Sequence, residues 1–362
     1  MASATPSSPP PPGSTLAALT AAFARAGPPL VGLEEELQLL DPATLDLCPC
    51  ADEVVGGPDL DDRFRRELPA AQAEIVLPPA ATVDAAAAQL LEARRALAAR
   101  AAGRAILAGA GAHPFAAAEG AIAPGERYAE LEREYRPAAR RQLVFGLHVH
   151  VAVTGGARAV AVHDALRSHL PELAALAANA PFHDGRDSGR ASVRPGLCDL
   201  LPRQGVPPAL GSLRDYADQL DWGAAAGRLP TPRRWWWELR LHPLHGTVEV
   251  RVCDAQATVA ETRAIAALVR ALVHDLADRH DGGERLPVAP TWRIEENRWL
   301  AARDGLDAVL ADPIDGRRAT ARTRLAQLVE RLAPTAAALG DGDALAAVAG
   351  LLEAGGGAAR QR

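Results

Sequence analysis

The chain predicts an α+β fold: an antiparallel or mixed sheet covered on one face by helices. Three observations predict it. Short segments rich in apolar and β-branched residues fall early and in the middle of the chain. Each alternates apolar and polar residues with the period of a half-buried strand. Long alanine- and leucine-rich segments of helical spacing lie between and after them, with no strict strand–helix alternation.

The elements follow in order. Residues 29–41, PLVGLEEELQLLD, read as a strand entering a turn at Asp41-Pro42. Residues 71–77 form a second strand, closed by Pro78-Pro79. Residues 83–103 are a helix, 105–114 a small strand running into a loop, and 126–141 a charged helix. FGLHVHVAV, residues 145–153, is the third main strand, and a helix follows at about 161–178. The Gly/Asp/Pro punctuation of residues 179–196 marks a functional loop. Strands at 235–243 and 246–254 are joined by a tight turn, and helices are expected at 258–279, 291–309, 315–333 and 342–353. Residues 1–14 read as a disordered Pro/Ser tail, 15–355 as one catalytic domain, and 356–362 as a second disordered tail.

Composition narrows the chemistry. A net charge of −6 gives no electrostatic footprint for nucleic acid, and no apolar run is long enough to span a bilayer. Four cysteines without a CxxC pair point to a reducing cytoplasm. There is no lysine, so all 39 basic residues are arginines. A Walker-type phosphate loop and a Schiff-base mechanism both need that lysine and are excluded. Phosphate must then be held by arginine, backbone amides or a metal ion.

The period of two sorts every strand into faces. Leu33, Leu37 and Leu39 share one, with Glu35 among them, and Glu34, Glu36 and Gln38 share the other. Glu74 and Gln72, then His148 and His150, then Glu238, Arg240 and His242, then Thr247, Glu249, Arg251 and Cys253 oppose apolar partners in the same way. A solvated sheet face is one reading. The residue types favour another, since clustered carboxylates repel unless a hard cation such as Mg²⁺ or Mn²⁺ neutralises them. An imidazole among them suits Mn²⁺ as well as Mg²⁺. Adjacent arginines suit the oxygens of a transferring phosphoryl group.

GLEEELQLLDPATLDL, GLHVHVAV, NAPFHDGRDSGRASVR, WWWELRLHPLHGTVEVRVCDAQAT and EENRWLAARDGLDA occur in that order. Together they resemble the carboxylate–amine ligase family, also called glutamate–cysteine ligase type 2, from about residue 29 to about 335. The resemblance implies a fold like the glutamine synthetase catalytic domain, a curved antiparallel sheet whose concave face holds ATP and metal ions. It implies that ATP phosphorylates a carboxylate, typically the γ-carboxylate of glutamate, and that an amine such as that of cysteine displaces phosphate. By the same resemblance Glu34, Glu36, Glu249 and His148 are metal ligands, with His148 also phosphate-facing. Glu74 is a further ligand or substrate contact, and His150 meets substrate. Arg251 and Arg194 stabilise phosphate or nucleotide, and Asn179 and Arg240 contact the glutamate-like substrate. A homodimer is also expected, on no particular sequence feature. The 179–194 loop departs from the family's usual N-S-P-F-W and D-T-G pattern at Ala180, His183 and Ser188, which bears on substrate identity.

Other readings stand beside these. Arg186, Arg190 and Arg194, spaced by four, form either a solvated helix face or part of the loop. Trp235, Trp236 and Trp237 either stack on adenine or pack at a core edge. EENRW, residues 295–299, reads as an anchor of helix onto sheet. Alternative activities are phosphoryl transfer to a guanidino or amine nitrogen, ATP-independent metal-dependent hydrolysis, and ligand binding without catalysis.

Overall fold

A computed structural model of the chain describes residues 14–25, 27–56, 61–227, 229 and 234–362. The expected tail at 1–14 lies, but for its last residue, outside the described residues. Seven strands form the main sheet: β1 (Val31–Leu40), β2 (Phe64–Arg66), β3 (Gln72–Val76), β4 (Ile106–Ala108), β5 (Gly146–Ala152), β8 (Leu239–His242) and β9 (Thr247–Asp254). Two small hairpins lie outside it, β6 (Phe182–His183) with β7 (Arg186–Asp187) and β10 (Val309–Ala311) with β11 (Arg318–Thr320). The order across the main sheet is β2-β3-β1-β5-β9-β8, with β4 also on β1, and every pairing between these strands is antiparallel.

The alternation read from sequence sets the layers. Val31, Leu33, Leu37, Ile75, Leu147, Val149, Val151, Val248 and Val250 are buried in one core against helices Val83–Ala101, Gly156–Leu166, Leu170–Ala177 and Val259–Asp281. Val259–Asp281 opens with a Thr258/Glu261 capping box, and Val83–Ala101 is capped by Thr82. Glu35 is the one charge on the apolar face of β1. Arg94 of helix Val83–Ala101 grips it with two donors at 2.6 and 2.7 Å, and Thr262 of helix Val259–Asp281 adds a third at 3.1 Å. This buried fork pins both helices to the middle of the sheet. A second buried pair, Arg270–Asp341 at 2.5 Å, ties down the far end of the same layer. Arg270 also donates to the carbonyls of Pro29 and Ala81, and Asp341 accepts the amide of Val83.

The structure departs from expectation where local geometry overrides pattern. In β9, Val250 pairs with Val149 but Cys253 pairs with Leu147, so Arg251 and Val252 together face His148 across a β-bulge. Cys253 therefore joins the core with Leu147 instead of the polar face, and Asp254, opposite Gly146, takes the polar side. The strand expected at 235–243 begins only at Leu239. The helix expected at 126–141 breaks at Arg136 (φ 53°), because Pro137 disfavours helical geometry in the residue before it. The expected helix at 315–333 is displaced to Ala321–Ala338 by the β10–β11 hairpin, and Thr320 caps it. Residues 356–362, expected as a tail, contain a helix, Gly356–Gln361, packed on the body of the protein. Helices Ser14–Phe23 and Leu213–Ala225 carry no signal that the sequence reading used.

Two predictions follow from these buried charges. Asp341→Asn strands Arg270 in a dry environment and should lower stability by about 3–5 kcal/mol, read as a lower urea midpoint at unchanged m-value. Glu172 is buried, and burial alone would raise its pKa, but His169 and Arg324 outweigh burial and hold it down to about 2. Its folded value lies below the unfolded one, so its contribution is complete above the unfolded pKa and is lost as pH falls toward the folded one. The stability difference between the parent chain and Glu172→Gln should shrink, by on the order of 2–3 kcal/mol, between about pH 5 and pH 2.

Candidate active site

The antiparallel register assembles the polar face. Glu34 lies opposite His148, Glu36 opposite Glu74, and His150 opposite Glu249, which in turn faces Arg240. Directly opposed residues share a face, so strands β3, β1, β5, β9 and β8 deliver these groups to one floor. Among the described residues, two sets of potential ligand atoms lie within 4.8 Å of one another: Glu34, His148 and Glu249, and Glu36, Glu74 and His148. His148 belongs to both.

The floor has two electrostatic halves. In one, every charge has a partner. Arg240 Nε donates to Glu249 at 2.5 Å and Arg251 donates to its other oxygen at 2.6 Å. Burial would raise Glu249, but Arg240, His150 and Arg251 hold it well below the ordinary carboxylate range. Glu34 lies 3.1 Å from Nδ1 of His148 and 3.4 Å from Nε2 of His150. Those contacts outweigh its burial and also keep it low. Burial would lower His150, yet Glu249 and Glu34 raise its pKa, and its Nδ1 sits 3.1 Å from Thr247 Oγ1. His242 and His245 stack beside it, with centroids 4.2 Å apart.

In the other half, carboxylates outnumber their partners. Burial pushes Glu36 up to about 7, with Arg194 opposing and Glu67 reinforcing the rise. Burial and the charges of Glu67, Glu34 and Glu36 push Glu74 well above its ordinary value. Glu74 accepts no hydrogen bond from any described residue, whereas Glu36 accepts the Gly146 amide at 2.5 Å. Burial and Arg251 press His148 down to about 4, which keeps its imidazole neutral at pH 7, and its buried Nε2 has no hydrogen-bond partner. A neutral imidazole nitrogen without a partner, next to uncompensated carboxylates, fits a divalent cation such as Mg²⁺ or Mn²⁺. Glu36, Glu74 and His148 are better placed for it than the second set, because both oxygens of Glu249 already serve arginines.

This half opens into a cavity of about 390 Å³, lined among others by Glu36, Glu67, His148, Arg194, Trp236 and Arg251. Arg194 starts the short helix Arg194–Cys198 and donates at 3.3 Å to the Val252 and Arg251 carbonyls that the bulge turns toward it. Its buried Nε is unpartnered. Helix Thr291–Asp304 braces this corner: Arg298 donates to Glu238 at 2.8 Å and to Asp199, while Asn297 clasps the backbone of Ala311 in both directions. The EENRW segment is thus the anchor its composition predicted.

One expected contact needs correction. Asn179 does not face the cavity: its amide donates to the Gly109 and Ala255 carbonyls, its backbone N–H to Asp254, and its Oδ1 accepts from Gln361. It is structural because each of its polar groups is already spent. Arg240 lies on the floor, its Nε bonded to Glu249 and one Nη to the Trp235 carbonyl. Arg186, Arg190 and Arg194 are not a helix face, since Arg186 sits on β7 and Arg194 is buried. Of the three tryptophans, Trp235 and Trp237 pack with the core and only Trp236 reaches the cavity, edge-on to Tyr135. Glu67 and Asp254 were missed. Glu67 sits in a connection without periodicity, and the bulge that re-aims Asp254 is silent in sequence.

Residues 30–362 match the profile of glutamate–cysteine ligase family 2. A Rubrobacter xylanophilus protein named "Putative glutamate–cysteine ligase 2-3" is 40% identical over 94% of this chain and 93% of its own length. A Thermobifida fusca protein with the name "Putative glutamate–cysteine ligase 2" is 36% identical over 92% of this chain and 85% of its own. Among solved structures, a Francisella tularensis glutamate–cysteine ligase in complex with AMP superposes with a TM-score of 0.71 at 14% identity, covering 93% of this chain and 84% of that one. A Pasteurella multocida bifunctional glutathione synthetase gives 0.61 at 14% identity, covering 95% and 53%. Family and site define the class: an ATP-dependent carbon–nitrogen ligase. The chain belongs to glutamate–cysteine ligase family 2.

Because His148 contributes to both ligand sets, His148→Gln should weaken Mn²⁺ binding at least about 10-fold, measured by titration calorimetry on the full chain. Far-UV circular dichroism should stay unchanged.

Proposed function

We propose that the chain activates the γ-carboxylate of glutamate as an acyl phosphate and joins it to an amine, that of cysteine or of another small molecule. Family membership supports the ligase class. The observation that carries the rest is that Glu36 and His148 of the Glu36–Glu74–His148 set line one cavity together with Arg251 and Arg194. Mg²⁺ or Mn²⁺ held by Glu36, Glu74 and His148, with Glu34 and Glu249 beside them, would offset the charge of the ATP phosphates when bound.

The steps balance without an enzyme nucleophile. A carboxylate oxygen attacks the γ-phosphorus, the β–γ bridging bond breaks, and ADP leaves. The amine nitrogen then attacks the acyl carbon and sheds a proton, and the carbon–oxygen bond to phosphate breaks. Arg251 is the guanidinium suited to the transferring phosphoryl oxygens, because Glu249 fixes one of its nitrogens at 2.6 Å and leaves the others for substrate. Arg194 lines the same cavity from the start of helix Arg194–Cys198. His150, raised in pKa beside Glu34 and Glu249, is the substrate contact in this reading. The reading extends to a cytoplasmic enzyme, which its four free cysteines suit. Among the described residues no helix is long and apolar enough to cross a membrane.

Glutamate labelled with ¹⁸O in its γ-carboxyl provides the test. With ATP, Mg²⁺ and a panel of amines, one ¹⁸O should appear in released phosphate for each amide formed, and Arg251→Gln should slow this by about 100-fold or more. Phosphate without label, or a stable phosphorylated amine, would overturn the reading.

A further inference from the structure

The segment Gly356–Arg362 touches the Asn179–Arg194 loop at both its stem and its tip. At the stem, the Ala358 amide donates to the Ala178 carbonyl at 3.0 Å, and Gln361 donates to Asn179 at O (2.9 Å) and Oδ1 (2.7 Å). Ala178, Ala191 and Ala358 form a small buried apolar cluster of their own. At the tip, Arg362 forks onto Asp187 at 2.8 and 2.9 Å and donates to the Arg190 carbonyl at 2.8 Å. Arg360 anchors the segment to Glu261, in the capping box of helix Val259–Asp281. A Cβ on Gly357 would lie 2.3 Å from Asn179 Oδ1, so only glycine permits this approach.

The loop so held ends on a cavity residue. Its two stems meet where Val193 donates to the Ala180 carbonyl, and the next residue is Arg194. On its other side the loop hangs from helix Thr291–Asp304 through the Ala302 and Arg303 carbonyls. Held on one side only, a loop with polar, partly exposed contacts opens readily; held on both, its base is fixed.

We propose that Gly356–Arg362 is a clasp that positions the Asn179–Arg194 loop, and through it Arg194, against the acidic floor. Gln361 and Arg362 are positioning residues in this scheme. The role given to Arg194 rests on the ligase reading above; the clasp itself does not.

Limited trypsin digestion of the full chain separates the two. Trypsin must engage the Arg190 carbonyl that Arg362 occupies. Gly357→Val and Arg362→Asp should each speed cleavage after Arg186 and Arg190 at least about 10-fold, with the thermal midpoint of the chain nearly unchanged. Arg362→Lys, which keeps a donor cation beside Asp187 and adds no internal cleavage site, should retain much of the protection. In steady-state kinetics Gly357→Val and Arg362→Asp should raise KM for ATP several-fold more than they lower kcat, and Arg362→Lys should stay close to the parent chain. Unchanged cleavage overturns the clasp, and faster cleavage with unaltered KM and kcat overturns its positioning role. Absence of amine-dependent ADP release from the parent chain overturns the ligase reading alone, since the cleavage result stands without it.

Discussion

Like charges held on a buried face repel, and the polar floor of this protein is organised around that repulsion. Five glutamates, Glu34, Glu36, Glu67, Glu74 and Glu249, converge where water cannot screen them well. The protein answers locally for Glu249, with Arg240 on one oxygen and Arg251 on the other. It answers less fully for Glu36, Glu67 and Glu74, whose pKa values all rise. A rigid, internally neutralised half therefore adjoins a half that gains stability from any cation brought to it. Displaced pKa values concentrated in a cleft are the expected mark of a working site.

The apolar layer meets a related demand with the same side chain. Arg94, Arg270 and Arg298 each join a carboxylate and at least one backbone carbonyl from separate segments. A guanidinium carries five donors in a fixed plane and can serve such divergent acceptors at once, whereas an ammonium is a single point of charge. In a chain without lysine, arginine brings this many-handed form to such ties.

Much of the architecture was legible before the coordinates. The strict alternation in β1, β3, β5 and the first half of β9 sorted floor from core, and it placed Glu34, Glu36, Glu74, His148, His150, Glu249 and Arg251 together. Alternation succeeds there because one face is wholly dry and a slip of one residue would be ruinous. It failed at Cys253 and Asp254, where a bulge shifts the phase without altering the residue pattern. It could not reach Glu67, which no periodicity governs, nor Asn179, whose part depends on carbonyls far away in sequence. The Gly356–Gln361 helix, expected as part of a tail, is built of alanines and glycines that carry no apolar periodicity. Their smallness is what lets the segment lie flush against the loop.

The bulge in β9 also has a bearing on how this sequence can vary. Arg251 serves the floor and the two adjacent carbonyls receive Arg194 only because the strand carries one residue more than its neighbour across that step. Deleting a single position between Val250 and Asp254 would put the strand back in phase. Asp254 would then turn inward and its tie to Asn179 would be lost, even if each remaining side chain were kept. Over these few positions, inheritance must conserve the tally of residues more strictly than their kind.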